Sequence, residues 1–128
     1  MLSGTYYLSG LWPPFAAAVD YLRQYVEYYN LGGSIVSGYR TNDQQAIEYA
    51  KGRTPSEIAN RVSKTIGAGG VVSNAPPGYS AHNYGLAVDV EGRDQAAILA
   101  LARAIGFGTV TNDPAHIEWP GWRSLVGL

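Results

Sequence analysis

The sequence contains no cysteine in its 128 residues. This absence excludes a disulfide scaffold, a thiol nucleophile, a cysteine-ligated zinc finger and an iron–sulfur site. An excess of one charge is also lacking, because nine basic residues face ten acidic ones and the formal net charge is −1. Proteins that hold nucleic acid by neutralising phosphates need a basic surplus, so nucleic acid is not expected as a partner.

No apolar run is long enough to cross a membrane. The best candidate, residues 96–108, is interrupted by Arg103 and is shorter than the roughly 20 apolar residues that a bilayer-spanning helix needs. The N-terminus has neither a basic region nor a continuous apolar region, so no signal peptide is predicted. We expect no membrane insertion, and we expect a protein acting outside a membrane to be released by other means or to be part of a larger chain.

Length and composition favour one folded domain over residues 1–128, acting as a monomer. Hydrophobic residues make up 46% of the chain and charged residues 15%, which is typical of a globular protein. A chain of this length buries about two thirds of its unfolded surface, which is sufficient without covalent cross-links. The 16 glycines indicate many turns and favour a mixed fold over a helical bundle.

Hydrophobic periodicity predicts an α+β fold in which a small antiparallel sheet packs against a few helices. Val19, Leu22, Val26 and Tyr29 recur at helical spacing and predict a helix over residues 15–30. Residues 1–14 are predicted to be irregular, and 67–80 to be a loop with a small extended piece. The other predicted helices cover 42–51, 93–105 and a stretch from 54 with Ile58, Val62 and Ile66; the predicted strands cover 34–39, 86–90, 107–111 and 116–119.

The only two histidines, His82 and His116, each lie near a carboxylate in a strand context. Asp89 stands between Val88 and Val90, and a buried carboxylate is costly unless a charge or a metal compensates it. Asp113 precedes the strand of His116, with Pro114 expected to shape the turn between them. Two histidines and one aspartate match the ligand count of a catalytic zinc site, although spacing alone also allows unrelated polar residues.

Arg40 follows the short strand in Ser37-Gly38-Tyr39-Arg40, with Gln45 downstream. Two interpretations of Arg40 remain open from the residues alone. One is a surface salt bridge. The other is a guanidinium fork that holds a substrate carboxylate or stabilises a developing oxyanion.

The motif Ser80-x-His82-x-x-Gly85-x-Ala87-x-Asp89, followed by Asp113-x-x-His116 and preceded by the Arg40 motif, resembles the LAS family of zinc peptidases. The family includes VanY-type D-alanyl-D-alanine carboxypeptidases, D-Ala-D-Ala dipeptidases and the L-alanyl-D-glutamate endopeptidases of phage endolysins. Hedgehog domains share its fold. The resemblance covers residues 35–119 and is strongest to the endolysin-type enzymes, so it implies a hedgehog/DD-peptidase-like fold.

The resemblance implies a role for each motif residue. His82, Asp89 and His116 would bind one Zn²⁺ per chain, and Asp113 would be the catalytic acid/base, with Glu118 as the rival base. Arg40 would act on the substrate carboxylate or the scissile carbonyl, and Ser80 and Gln45 would contact the bound peptide. The expected partner is the peptidoglycan stem peptide.

One departure from the family concerns residues 55–70, which are longer than the corresponding segment in many members and are predicted to be partly helical. We expect this segment to reshape the substrate groove. The resemblance implies a bacteriolytic peptidoglycan hydrolase of the endolysin type that cuts the L-alanyl-D-glutamate bond. The alternatives are a D-alanyl-D-alanine carboxypeptidase, a non-catalytic zinc-binding module, and a wall-penetrating domain of a virion protein.

Overall fold

The computed structural model describes residues 1–128 and contains one five-stranded sheet with five α-helices, which confirms the α+β prediction. The strand order is β1-β2-β3-β5-β4. Short 3₁₀ helices occupy Thr5–Gly10, Ala68–Gly70 and Ala81–Tyr84. The strands are β1 (Leu2–Ser3), β2 (Gly33–Ser37), β3 (Ala87–Glu91), β4 (Gly108–Val110) and β5 (Asp113–Glu118); the helices are α1 (Pro13–Tyr28), α2 (Asn42–Ala50), α3 (Pro55–Ala59), α4 (Gln95–Ile105) and α5 (Trp122–Val126).

The sheet is mixed, which corrects the expectation of a wholly antiparallel sheet and of an irregular N-terminus. Strand β1 runs parallel to β2 and pairs Leu2 with Gly33, while the other neighbours are antiparallel. Leu2 is only 1% exposed and belongs to the core. A strand of two residues is too short to produce an alternating pattern, so the periodicity could not reveal it.

Helices α1 and α4 supply the helical side of the core. Phe15, Val19, Leu22 and Val26 of α1 are all fully buried, and they share one cluster with the sheet residues Val88, Val90 and Ile117. Complete burial of each such side chain contributes about 1.5–3 kcal/mol. The residues predicted to form the apolar face of this helix are buried except Tyr29, which follows the last helical residue and is exposed.

Helices α2 and α3 begin where the sequence predicts, but the residues that follow are not all buried or helical. Thr41 and Thr54 each form a capping box, with Gln44 and Glu57 respectively. In α2, however, the buried residues are Gln45 and Tyr49, whereas Ile47 is 62% exposed. Helix α3 ends at Ala59, so Val62 and Ile66 lie beyond it.

Arg53 organises the segment that follows α3. Its guanidinium is nearly buried and donates to the backbone carbonyls of Tyr49, Val62 and Ser73 at 2.6–3.0 Å. These bonds draw distant parts of residues 49–73 around one cation, so the segment has a defined position although little of it is regular. Val71 has an extended backbone, as the predicted extended piece requires, but it pairs with no strand.

The C-terminal part differs from prediction at two places. Asp113 and Pro114 belong to β5 itself, because the chain turns earlier at Asn112, whose φ is +66°. This corrects the expectation that Pro114 shapes the turn. Helix α5 was not predicted, since its five residues are shorter than the periodicity window. No helix has the length and apolar character required to span a membrane.

Candidate metal centre and active site

The register of the sheet brings Asp89 and His116 together. They are directly paired across the antiparallel β3 and β5, so their side chains leave the same face. Val88 and Ile117, their neighbours in sequence, point to the opposite face and are fully buried in the core. The alternation of the strands thus holds the two polar groups on the face away from the apolar core.

His82 approaches from the 3₁₀ helix Ala81–Tyr84. Ser80 caps this helix, since its Oγ accepts from the backbone N–H of His82 at 3.2 Å. Gly85 ends the helix with φ +68°, and a Cβ at this residue would stand 2.8 Å from the backbone nitrogen of Trp12. Position 85 therefore needs a glycine, both because its φ is positive and because the backbone of Trp12 lies close to it.

The segment of Arg40 and the 3₁₀ helix of His82 are joined by hydrogen bonds. The backbone N–H of Arg40 donates to the carbonyl of His82 at 3.0 Å, and the side-chain amide of Asn83 donates to the carbonyl of Arg40 at 3.0 Å. His82 Nδ1 lies 2.8 Å from the carbonyl oxygen of Gly38. Because a carbonyl only accepts, this bond places the proton on Nδ1 and leaves the lone pair on Nε2.

One ligand atom from each of His82, Asp89 and His116 lies within 4.8 Å of the others, so these residues could hold a metal ion. Asp89 Oδ1 is 3.4 Å from His82 Nε2 and 3.6 Å from His116 Nδ1. The other ring nitrogen of His116, Nε2, is 2.7 Å from Glu118 Oε1. Each imidazole is thus oriented by an oxygen on its far side, as in metal sites of known proteins.

The electrostatics of the cluster favour a charged carboxylate and a charged imidazole when no metal is bound. Burial opposes the charge on Asp89, but the two histidines beside it hold the pKa of its carboxyl well below the usual range. Burial also opposes the charge on His116, but the carboxylates of Asp89 and Glu118 outweigh it and raise the pKa of the imidazole to about 9. Without a metal, Asp89 and His116 therefore form an ion pair inside the cluster.

Arg40 is held beside the same carboxylate by four hydrogen bonds, one of which is to Asp89. Its Nη2 donates to Asp89 Oδ2 at 2.9 Å, its Nη1 to Gln45 Oε1 at 2.9 Å, and its Nε and Nη2 to Ser37 Oγ at 3.2 and 3.1 Å. The guanidinium is mostly buried, so this contact with Asp89 is not an exposed surface salt bridge.

Gln45 does not contact the cavity, which corrects its prediction as a substrate-binding residue. Its side chain is fully buried, and its Nε2 donates to Ser73 Oγ at 3.0 Å and to the carbonyl of Ala75 at 2.7 Å. Its oxygen accepts from Arg40. The polar atoms are therefore occupied by protein, and Gln45 positions Arg40.

Asp113 stands at the start of β5, beside the cluster. Burial raises the pKa of its carboxyl, and the nearby negative charge of Asp89 raises it further. Such a shift brings a carboxyl closer to the range in which it can exchange protons near neutral pH. Glu118, the other predicted base, instead accepts from His116.

A cavity of about 410 Å³ surrounds these groups. It contains the predicted residues Arg40, Ser80, His82, Asp89, Asp113, His116 and Glu118. Sequence reasoning missed several other lining residues, because they come from the irregular segment 61–79 and from α5. These include Arg61, Asn74, Tyr79, Trp122 and Arg123.

The sequence profile of VanY, D-alanyl-D-alanine carboxypeptidase, matches residues 10–119. The chain belongs to this family. The predicted resemblance to LAS-type zinc peptidases is thereby confirmed, and so is the assignment to an enzyme family that acts on peptidoglycan. No curated protein sequence matches the chain.

Solved structures of this VanY-like fold support the architecture. A mutant of the vancomycin-resistance D,D-pentapeptidase VanY in complex with Zn(II) is 21% identical with a TM-score of 0.59, covering 91% of this chain and 76% of that one. VanYB in complex with D-alanine-D-alanine is 22% identical with a TM-score of 0.57, covering 88% and 73%. The LdcB LD-carboxypeptidase is 24% identical with a TM-score of 0.59, covering 92% and 72%.

Proposed function

We propose that the chain is a zinc-dependent peptidase that hydrolyses the stem peptide of peptidoglycan. The observation that carries the proposal is the convergence of His82, Asp89 and His116 in one cavity with Asp113. Two imidazole nitrogens and one carboxylate oxygen form a donor set typical of catalytic zinc sites, which leave a coordination position for water or substrate. The VanY relative that is a Zn(II) complex supports zinc as the metal.

The residues around the proposed metal have distinct tasks. Zinc held by the two histidines and Asp89 would supply Lewis acidity and lower the pKa of water. The carboxylate of Asp113 accepts a proton from the attacking water and later delivers it to the nitrogen of the leaving amine. Arg40 fixes the orientation of Asp89, and Ser80 fixes the backbone that carries His82. No covalent intermediate is needed.

We propose the L-alanyl-D-glutamate bond as the cleaved bond, in an endolysin-like activity. The hydrogen bonds that Arg40 already makes within the protein favour this assignment. A carboxypeptidase needs a cation that binds the terminal carboxylate, and the guanidinium of Arg40 is already bonded to Asp89, Ser37 and Gln45, which leaves Arg61 and Arg123 as the only other arginines of the cavity. An endopeptidase has no such requirement.

Removal of terminal D-alanine is the second candidate. It is favoured by the family description, D-alanyl-D-alanine carboxypeptidase, and by the D-alanine-D-alanine complex of VanYB. Either activity uses the same proposed metal ligands and the same acid/base.

Mass spectrometry of the products tests the proposal. Zinc-loaded protein is incubated with purified peptidoglycan and with a synthetic stem pentapeptide, and Asp113→Asn serves as the inactive control. A new N-terminal D-glutamate supports the endopeptidase, and free D-alanine supports the carboxypeptidase instead. If zinc-loaded protein releases neither product, the proposed peptidase activity is wrong.

A further inference from the structure

Two cationic side chains, Arg61 and Arg123, have no acceptor in the protein. The other seven basic residues all donate to a carboxylate, an amide, a hydroxyl or a backbone carbonyl. Neither Arg61 nor Arg123 makes a side-chain hydrogen bond or an ion pair, so both guanidinium groups keep their full set of donors for a ligand.

Both arginines line the cavity that contains His82, Asp89 and His116. They come from separate parts of the chain, since Arg61 follows α3 and Arg123 is the second residue of α5. Two exposed, unpaired cations of the same chain therefore meet at one site through its tertiary structure. Neither guanidinium is hydrogen-bonded to another element.

An aromatic ring lies under each guanidinium. The Cζ of Arg61 is 5.7 Å from the centre of the Tyr79 ring, and the Cζ of Arg123 is 4.8 Å from that of the Trp122 ring. Such contacts restrict the orientation of an arginine without using its N–H donors. The Trp122 ring is anchored, since it is 3% exposed and packs beside Tyr84, whereas Tyr79 is 48% exposed. Each arginine is thus partly preorganised while it stays available for hydrogen bonding.

We propose that Arg61 and Arg123 bind free carboxylates of the peptide and thereby select acidic stem peptides over amidated ones. A guanidinium matches a carboxylate in shape and charge and can donate two parallel hydrogen bonds to it, whereas a carboxamide lacks the negative charge. The proposal deepens the proposed function and rests on it, because it takes the stem peptide as the ligand. It also gives residues 55–70 a role, since Arg61 lies within this segment and lines the cavity.

Equilibrium binding tests the selection without requiring cleavage. The zinc-loaded Asp113→Asn protein is titrated with a stem tetrapeptide that carries free carboxylates and with the same peptide in which they are carboxamides. We expect the acidic peptide to bind more tightly. Arg61→Gln and Arg123→Gln should each weaken binding of the acidic peptide about five- to tenfold while leaving the amidated peptide unchanged.

Arg103→Gln is the matched control, because it removes the same charge from an exposed arginine that does not line the cavity. Equal affinity of the Asp113→Asn protein for the two peptides would overturn the proposal. The proposal would also be overturned if Arg61→Gln and Arg123→Gln both preferred the acidic peptide over the amidated one as strongly as the parent protein does. A loss of affinity for the acidic peptide in Arg103→Gln as large as in the cavity variants would overturn it as well. Failure of the proposed function is seen separately, as absence of products from the wild-type protein, and does not alter the comparison of affinities.

Discussion

Arg40 Nη2 donates to Oδ2 of Asp89 at 2.9 Å, which leaves Oδ1 of the same carboxylate facing both histidines. One carboxylate therefore joins a guanidinium on one side to the proposed metal ligands on the other. The guanidinium is fixed in turn by Gln45 and Ser37. A change in Arg40 is consequently expected to reach the metal through Asp89.

Arg40→Lys should lower the zinc affinity by about 10- to 100-fold, the range typical of groups that orient metal ligands. Lysine keeps the charge but lacks the planar fork that contacts Asp89, Gln45 and Ser37 together. Competition with a zinc chelator measures the affinity, and kcat/KM is expected to fall at subsaturating zinc. Unchanged zinc affinity together with a reduced kcat/KM at saturating zinc would instead assign Arg40 to the substrate.

Zinc should bind with a stoichiometry of one per chain and should depend on the two histidines. Elemental analysis of dialysed protein is expected to show one zinc in the wild type and none in the double variant His82→Ala, His116→Ala, because the chain has no other histidine and no cysteine. Circular dichroism of both proteins controls for folding. Stoichiometric zinc in a folded double variant would contradict the proposed ligand set.

Asp113→Asn and Glu118→Gln should separate catalysis from metal binding. Asp113→Asn is expected to keep its zinc and lose about 10²–10⁴-fold in kcat, as for loss of a general acid/base. Glu118→Gln should mainly weaken zinc binding, since Glu118 orients the imidazole of His116. If Glu118→Gln keeps its zinc but loses activity while Asp113→Asn turns over normally, the acid/base assignment is reversed.

The residues that the structure gathers around Asp89 match the ligand set implied by the resemblance to LAS-type zinc peptidases, whereas spacing alone also allowed unrelated polar residues. A carboxylate within an apolar strand and two isolated histidines are unusual in any context. The pairing of Asp89 with His116 further needed the register of β3 against β5, which only the folded sheet supplies.

The remaining site residues depend on tertiary contacts that no local pattern records. The resemblance implied that Gln45 contacts the bound peptide, but hydrogen bonds to Arg40 and Ser73 occupy its side chain, which is completely buried. Arg61 and Arg123 are ordinary exposed arginines in the sequence. They reach the cavity because Arg53 fixes the segment after α3 and because α5 folds beside the helix of His82.

The metal-free protein should lose stability as the pH rises from about 6.5 to about 9. The pKa of His116 is about 9 in the folded protein, because Asp89 and Glu118 outweigh its burial, and the ordinary value is 6.5. A raised pKa means that the folded state binds the proton more tightly than the unfolded state. The resulting stabilisation is complete below pH 6.5 and disappears as the pH passes 9.

Urea denaturation of chelator-treated protein at several pH values measures this effect, which is expected to be on the order of 3 kcal/mol. His116→Gln cannot take up a proton and should show a much flatter pH profile over the same range. Zinc-loaded wild-type protein should also be flatter, because the metal and the proton compete for the same ring nitrogen. Equal pH dependence of the metal-free wild type and His116→Gln would show that His116 is not held in its charged form by Asp89 and Glu118.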